Sequence, residues 1–333
     1  MSDARKLGRA GPSVFPVGFG CMGLVGWYGS RNDDEARATL LEAIDAGVDH
    51  FDTAASYQLG ENERFVGSVL RPFRSQIVLA TKCGLTRGPG GSAMADNRPE
   101  TIRASCAASL ERLGFDAIDL FYLHRIDATV PIEDSVGELS KLVAAGKIQH
   151  IGLSECSAET LRRAQAIHPV AAVQTEFSLW TRDPEHNGVL AACEAGGTAL
   201  VAYSPLGRGF LAGNFRRVDE LPENDSRRTF PRFQNDAASA NDALVIALRE
   251  VATELGASPA QVAIAWLLAR SPNVVTIPGM KTRAHLRDNL AGASLALSAA
   301  QLATIDARVA ALPVTGERYP PAMMKILNHP TGS

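Results

Sequence analysis

An aspartate, a tyrosine, a lysine and a histidine, each set where an apolar run stops, are the side chains of this sequence best suited to chemistry. Asp52 and Tyr57 lie in Phe51-Asp52-Thr53-Ala54-Ala55-Ser56-Tyr57, Lys82 ends Ala80-Thr81-Lys82, and His124 lies in Tyr122-Leu123-His124-Arg125. Such a set could reduce a carbonyl, which needs a hydride donor, a proton donor for the developing alkoxide, and a group to hold the oxygen. Tyr57 is the acid, although a free phenol titrates near 10. An ammonium at Lys82 would stabilise the phenolate and lower that value, with Asp52 anchoring the lysine as an ion pair. His124 would hydrogen-bond the carbonyl and orient it. Each residue alone has an ordinary explanation: a packed tyrosine, a solvated lysine, a structural histidine beside Arg125. Their coincidence at strand ends carries the reading.

The elements that must position them are legible as short β-rich apolar runs near 15–20, 48–52, 76–81, 117–123, 148–153, 170–175, 198–203 and 273–278. Helical patterns with recognisable ends lie between them. Asn32 with Glu35 predicts a capping box, and Gly47 closes that helix. Pro99 opens a helix through Leu113 with Gly114 after it, Gly146 closes Ile132–Ala145, and Pro259 opens an apolar helix through Leu268. Eight strands alternating with helices predict an α/β fold, a (β/α)8 TIM barrel whose strand ends carry the site on one rim. Residues 4–14 predict a hairpin ahead of the barrel. Residues 207–240, after the seventh strand, form a long Arg-rich loop of the kind that serves as a lid or binding loop. The Gly/Pro-rich stretch 84–98 and the tail after Pro313 are smaller candidates. No linker is visible, so residues 1–333 are expected to form one domain.

The totals set bounds. Of 333 residues, 46% are hydrophobic and 21% charged, with a net charge of −3, an ordinary enzyme composition without a global field for nucleic acid or an anionic membrane. Met1-Ser2-Asp3-Ala4-Arg5-Lys6 lacks the apolar core of a signal peptide, and no apolar stretch is long enough to span a bilayer. The five cysteines are scattered without a C-x-x-C pair, which predicts free thiols, no metal site and a cytoplasmic setting.

Several stretches together resemble the aldo-keto reductase superfamily, in its bacterial and plant branch. They are Phe51-Asp52-Thr53-Ala54 with Tyr57, Thr81-Lys82, Leu123-His124, and Tyr203-Ser204-Pro205-Leu206-Gly207. Gly18-Phe19-Gly20-Cys21-Met22-Gly23, Val143-Ala144-Ala145-Gly146-Lys147-Ile148 and Ile277-Pro278-Gly279-Met280-Lys281 fit as well. The resemblance spans nearly the whole chain. It implies a (β/α)8 barrel, NADP(H) bound in extended form, and the tetrad Asp52, Tyr57, Lys82 and His124. It further implies that Ser154, residue 155 and Gln174 hold the nicotinamide amide while Tyr203 stacks on the ring. Gly20, Cys21 and Met22 would approach the ribose. Ser204, Pro205, Leu206, Gly207, Arg208 and Gly209 would surround the pyrophosphate. Ile277, Gly279, Lys281, Arg283, His285, Asp288 and Asn289 would face the 2′-phosphate and adenine, where cations and helix N-terminal amides favour phosphate. Three positions depart from the commoner pattern: Glu155 replaces Asn, His285 stands where many members carry Arg, and Gln58-Leu59-Gly60 follows Tyr57 in place of an immediate Gly.

Gly18-x-Gly20-x-x-Gly23 also matches a dinucleotide fingerprint, but Leu24-Val25-Gly26-Trp27-Tyr28-Gly29 does not read as the opening of a helix, so a Rossmann turn is not expected. Two other functions compete. A Schiff-base lyase would use Lys82 as nucleophile, and a nicotinamide-binding regulatory subunit would turn over slowly or not at all. The expected partner is a small aldehyde or ketone, with Trp27, Tyr28, Trp180 and Tyr319 as candidate pocket walls.

Overall fold

The computed structural model describes residues 3–88 and 92–328. Strands β1 (Arg5–Lys6) and β2 (Ser13–Val14) pair antiparallel as the expected hairpin. Leu7 and Val14 pack with Leu120, Ala172, Ala199 and Val275, so the hairpin plugs the end of the barrel where the strands begin. Arg5 fixes it there, donating to the carbonyls of Leu268 and Ser271 at 2.8 and 2.9 Å.

β3 (Phe19–Gly20), β4 (His50–Asp52) and β5 (Val78–Cys83) open the barrel. A hairpin of β6 (Leu85–Arg87) and β7 (Ala93–Ala95) follows, so the stretch read as a loop at 84–98 carries regular pairing. Its residues 89–91 lie outside the described set. β8 (Ile118–Leu123), β9 (Ile148–Ser154), β10 (Val170–Glu176), β11 (Ala199–Tyr203) and β12 (Val274–Thr276) complete a parallel sheet in the order β3-β4-β5-β8-β9-β10-β11-β12. The ends of that sheet meet. Gly18 N donates to Thr276 O at 2.8 Å, Thr276 N to Pro16 O at 2.9 Å, and Gly20 N to Pro278 O at 3.0 Å. A Cβ on Gly20 would fall 2.5 Å from the carbonyl oxygen of Ile277, so glycine is what lets the first and last strands close. The result is the expected (β/α)8 barrel.

The helices are α1 (Asp33–Asp45), α2 (Glu61–Leu70), α3 (Pro99–Leu113), α4 (Ile132–Ala144), α5 (Ala158–Ile167), α6 (Asp183–His186), α7 (Val189–Gly196), α8 (Asn235–Leu255), α9 (Pro259–Leu268), α10 (Arg283–Gly292), α11 (Ala299–Ala310) and α12 (Pro321–Met324). One hydrophobic cluster joins strand residues such as Phe19, Phe51 and Leu153 to helix residues such as Leu40, Leu139 and Trp266. Sequence and structure differ at two boundaries. Asn32 caps α1 by accepting from Glu35 N at 3.1 Å, but the Glu35 carboxylate does not return to Asn32. It accepts instead from Arg283, at 3.0 Å from both N and Nη2, so the capping box is only half made and the other half ties α1 to α10. The long loop ends earlier than expected, because α8 starts at Asn235; the alanine-rich Ala237-Ala238-Ser239-Ala240 favours helix over loop.

The tail after Pro313 returns to the mouth of the barrel. Arg318 and Tyr319 are buried, and Asn328 accepts from Ser157 N and Thr160 Oγ1 beyond β9. Its residues 329–333 lie outside the described set. Among the described residues, no single helix is long and apolar enough to cross a membrane.

Candidate active site

Asp52, Lys82 and His124 leave the C-terminal ends of barrel strands, and the parallel order brings those ends to one mouth. Asp52 is the last residue of β4, Lys82 lies near the end of β5, and His124 directly follows β8. Tyr57 stands on the short 3-10 turn after β4. The backbone is unusual at the same rim. Gln58, Leu59, Glu155, Ser204 and Arg208 have φ between 49° and 58°, and all five occur in loops just beyond barrel strands. Non-glycine residues there are held by their surroundings at a cost of about 1–3 kcal/mol each, a feature that clusters at functional sites.

Lys82, 1% exposed, donates to Asp52 Oδ1, to Thr53 O at 2.7 Å and to Tyr57 Oη at 3.4 Å. Three acceptors match the three donors of an ammonium. Gln174, on β10, donates from Nε2 to the second Asp52 oxygen at 2.8 Å. Behind them, Thr53 Oγ1 donates to Asn62 Oδ1 at 2.6 Å and Asn62 Nδ2 to Cys21 O at 2.8 Å. Thr81 Oγ1 donates at 2.6 Å to Glu63, whose other oxygen accepts from Arg112, also at 2.6 Å. These bonds lock the two strand ends that aim Asp52 and Lys82.

His124 is 7% exposed. Its Nδ1 lies 3.2 Å from Ser56 Oγ, and its ring meets Tyr57 edge-on at 5.9 Å. With the Ser56 hydroxyl donating, Nδ1 is the acceptor and Nε2 carries the proton, leaving a neutral ring that can donate to a carbonyl oxygen. Burial, and then the charges of Arg125 and Lys82, hold His124 well below its ordinary pKa.

Tyr57 departs from the sequence argument. Burial first, and then the negative charge of Asp52, push its phenol well above its ordinary value, with Arg125 opposing. The ammonium of Lys82 is engaged by Asp52 and Thr53 and reaches the phenol only at 3.4 Å, so it does not draw the phenol down. The phenol keeps its proton, the form an acid requires. Lys82 itself is lowered by burial and pulled back by Asp52.

The residues expected to hold the cofactor lie around the same mouth. Ser154, Glu155 and Gln174 are buried at the ends of β9 and β10. The Glu155 carboxylate is committed to protein partners: Arg318 at 2.7 and 3.2 Å, Tyr203 Oη at 2.7 Å, and Glu176 N at 3.0 Å. Tyr203 Oη also lies 2.8 Å from Tyr319 Oη. Arg208 turns inward to Glu176, at 2.8 and 3.2 Å, within the run Ser204, Pro205, Leu206, Gly207, Arg208 and Gly209. Gly20, Cys21 and Met22 lie across the barrel seam from Ile277 and Gly279. Lys281 Nζ donates to Tyr28 O at 2.6 Å and Ser30 O at 3.0 Å, whereas Arg283 makes an exposed pair with Glu35. His285 N is capped by Thr282, Asp288 accepts from Ser258 and Gln261, and Asn289 is buried with its Nδ2 unpartnered.

Three loops follow adjacent strands β11, β12 and β3 and join over one side of the mouth. Ser226 donates to Trp27 O from N at 3.3 Å and from Oγ at 2.9 Å. Arg227 covers the Tyr28 ring at 5.0 Å, and Lys281 reaches the same turn. Trp180, one of the candidate pocket walls, is 3% exposed and stacks on Phe210 at 4.8 Å.

A group that the sequence reading missed is a buried ionic cluster at the rim. Glu176 faces Arg208, Arg232 at 3.8 Å and Arg318 at 3.8 Å, and Arg318 also binds Glu155. Burial alone would raise Glu176, but the three arginines together lower it. The acidic ends of β9 and β10 were its only local signal; the arginines come from the long loop and the tail, with no spacing to reveal them.

A sequence profile of the aldo/keto reductase family matches residues 16–310. An NADP(+) aldo-keto reductase of Schizosaccharomyces pombe, yakc, is 41% identical over 322 residues, 95% of this chain and 94% of its own length. A probable aldo-keto reductase of Glycine max is 41% identical over 316 residues, covering 94% and 91%. Among solved structures, a glycerol dehydrogenase from Gluconobacter oxydans superposes with a TM-score of 0.84 at 27% identity, over 96% of this chain and 98% of that one.

Proposed function

The chain belongs to the aldo/keto reductase family, and from that premise we propose that it is an NADPH-dependent reductase of an aldehyde or ketone with Tyr57 as proton donor. The observation that carries this reading is Tyr57 Oη, protonated and 3.4 Å from the Asp52-paired ammonium of Lys82, beside the edge of a neutral His124.

The residues present fit the cofactor. Asn289 Nδ2 is a buried donor without a protein partner, and Arg283 spends its charge on an exposed pair that costs little to exchange. NADPH, when bound, supplies hydride from nicotinamide C4 to the carbonyl carbon. Ser154 and the free carbonyl of Gln174 would hold its amide, since Glu155 is engaged by Arg318, and Tyr203 would cover the ring. Gly20, Cys21 and Met22 would border the ribose. The amides of residues 204–209 would meet the pyrophosphate, and Lys281, Arg283 and Asn289 the adenosine end.

His124 Nε2 and Tyr57 Oη then donate to the carbonyl oxygen, polarising the bond. As charge develops there, the phenol delivers its proton and Lys82, one hydrogen bond away, stabilises the phenolate left behind. The same geometry disfavours a Schiff-base lyase, because the Lys82 nitrogen is buried and held by three acceptors rather than presented as a free amine.

The reading is tested by following loss of reduced-nicotinamide absorbance with NADPH or NADH across a panel of aldehydes and ketones. Substrate-dependent oxidation of NADPH is expected. Tight cofactor binding without turnover on any carbonyl would overturn it in favour of a sensing subunit.

The pH dependence follows from the site. Reduction needs neutral His124, whose pKa is lowered, and protonated Tyr57, whose pKa is raised. With a lowered His124, the rate on a neutral carbonyl is therefore expected to show no acid limb down to about pH 6.5, the ordinary value of a histidine. An acid limb with an apparent pKa of about 6.5 or higher would show that His124 titrates freely and would contradict the assignment.

A further inference from the structure

Arg125 follows the catalytic histidine directly, and the chemistry described so far leaves it unused. Four arginines are buried among the described residues: Arg125, Arg208, Arg232 and Arg318. The last three face a carboxylate, at 2.8, 3.8 and 2.7 Å. Arg125, only 4% exposed, has no carboxylate in salt-bridge range among the described residues. Its Nη1 donates to the carbonyl of His124 at 2.6 Å and stretches to Ser154 Oγ at 3.4 Å, while Nε is buried without any partner. A guanidinium offers five donors in a flat fork, and here most of them are unspent.

The cation is also in the right place. It stands between the end of β8 and the end of β9, next to the ring that would hold the carbonyl oxygen. Its charge is felt, after the larger effects of burial and Asp52, at the Tyr57 phenol, and after burial at His124. Glu155, the carboxylate whose field Arg125 feels, is already bound in a fork by Arg318. Burial opposes the Arg125 charge and the fields of Tyr203, Tyr319 and Glu155 outweigh it, raising its pKa, yet no carboxylate among the described residues meets the fork directly, and its hydrogen bonds go to a carbonyl and a hydroxyl.

We propose that Arg125 is the specificity-determining residue for the substrate, and that the physiological carbonyl compound carries a carboxylate that docks on its guanidinium while His124 and Tyr57 take the carbonyl oxygen. This rests on the reductase reading and adds the substrate class to it. The carboxylate supplies a counter-charge in direct contact and accepts from the idle donors. A neutral aldehyde of the same length leaves them buried and unpaired.

The test uses matched pairs with NADPH: 4-oxobutanoate against butanal, and 4-carboxybenzaldehyde against 4-methylbenzaldehyde. In the wild-type protein, kcat/KM is expected to favour the carboxylated member of at least one pair by on the order of 10- to 10²-fold, the scale of a charge-assisted hydrogen-bonded pair. Arg125→Met should collapse that ratio toward unity, chiefly through KM, and Arg125→Lys should restore part of it because a point charge replaces the fork. If Arg125→Met does not fold, wild-type reduction of butanal should still be inhibited competitively by butanoate and far less by butanamide.

Equal reduction of both members of each pair by the wild type would overturn the proposal and leave carbonyl reduction standing. Loss of both members in equal proportion in Arg125→Met, with weaker NADPH binding by fluorescence titration, would overturn it differently, by assigning the arginine to the cofactor through Ser154. No turnover of any member with NADPH bound would remove the reductase reading, and this inference with it.

Discussion

Tyr57→Phe is expected to lower kcat for carbonyl reduction by on the order of 10²-fold or more while NADPH still binds. The substitution deletes one oxygen and leaves the ring against His124, where the centroids lie 5.9 Å apart. Lys82 loses only its longest contact, at 3.4 Å, and keeps Asp52 and Thr53. The pocket therefore stays assembled, and the missing piece is the proton. Single-turnover reduction separates this from a binding effect, because the chemical step slows and cofactor affinity does not. Retention of full activity would remove Tyr57 from the role of acid.

Arg318→Met is expected to destabilise the fold by about 3–5 kcal/mol, the cost of breaking a buried ion pair from one side. The side chain is 2% exposed and holds Glu155 at 2.7 and 3.2 Å, with Glu176 at 3.8 Å. Burial pulls Arg318 toward the neutral form, but Glu155 and Glu176 outweigh it and raise its pKa, so the native protein holds a full charge there. Methionine fills similar space and removes the charged fork from Glu155. Chemical denaturation checks the loss. Arg318→Lys should recover part of it, since it restores the charge without the fork. A change within about 0.5 kcal/mol, the ordinary range of surface substitutions, would mean that the tail is not anchored through this pair.

The contrast between those two residues shows what the sequence could and could not disclose. The eight strands were legible because fully buried parallel strands are continuous apolar runs, and glycine or proline marked most helix ends. Asp52, Lys82 and His124 stood out because a charged or titratable side chain at the end of such a run is conspicuous, and Tyr57 followed from Asp52. Contacts between distant segments left no such trace. Glu35 satisfied a local capping pattern, yet its carboxylate went to Arg283, which is remote in sequence. Arg208 lay in a run that reads as phosphate-binding, but its guanidinium is turned to Glu176. The sign of the Tyr57 shift was misread for a related reason. Residue type suggested that Lys82 would govern the phenol, whereas burial and Asp52 dominate once the ammonium is neutralised in place. Charge pairing between loops, and desolvation, are properties of the folded mouth rather than of any window along the chain.

The most direct test of the central claim is to supply NADPH deuterated at nicotinamide C4, using each stereoisomer in turn, and to examine the alcohol formed from an aldehyde by mass spectrometry. The account predicts that one of the two gives alcohol with a single deuterium on the former carbonyl carbon, in proportion to the NADPH consumed, and that Tyr57→Phe slows its appearance. Cofactor bound without deuterium reaching any alcohol, or alcohol formed with hydrogen drawn only from solvent, would contradict hydride transfer at this site.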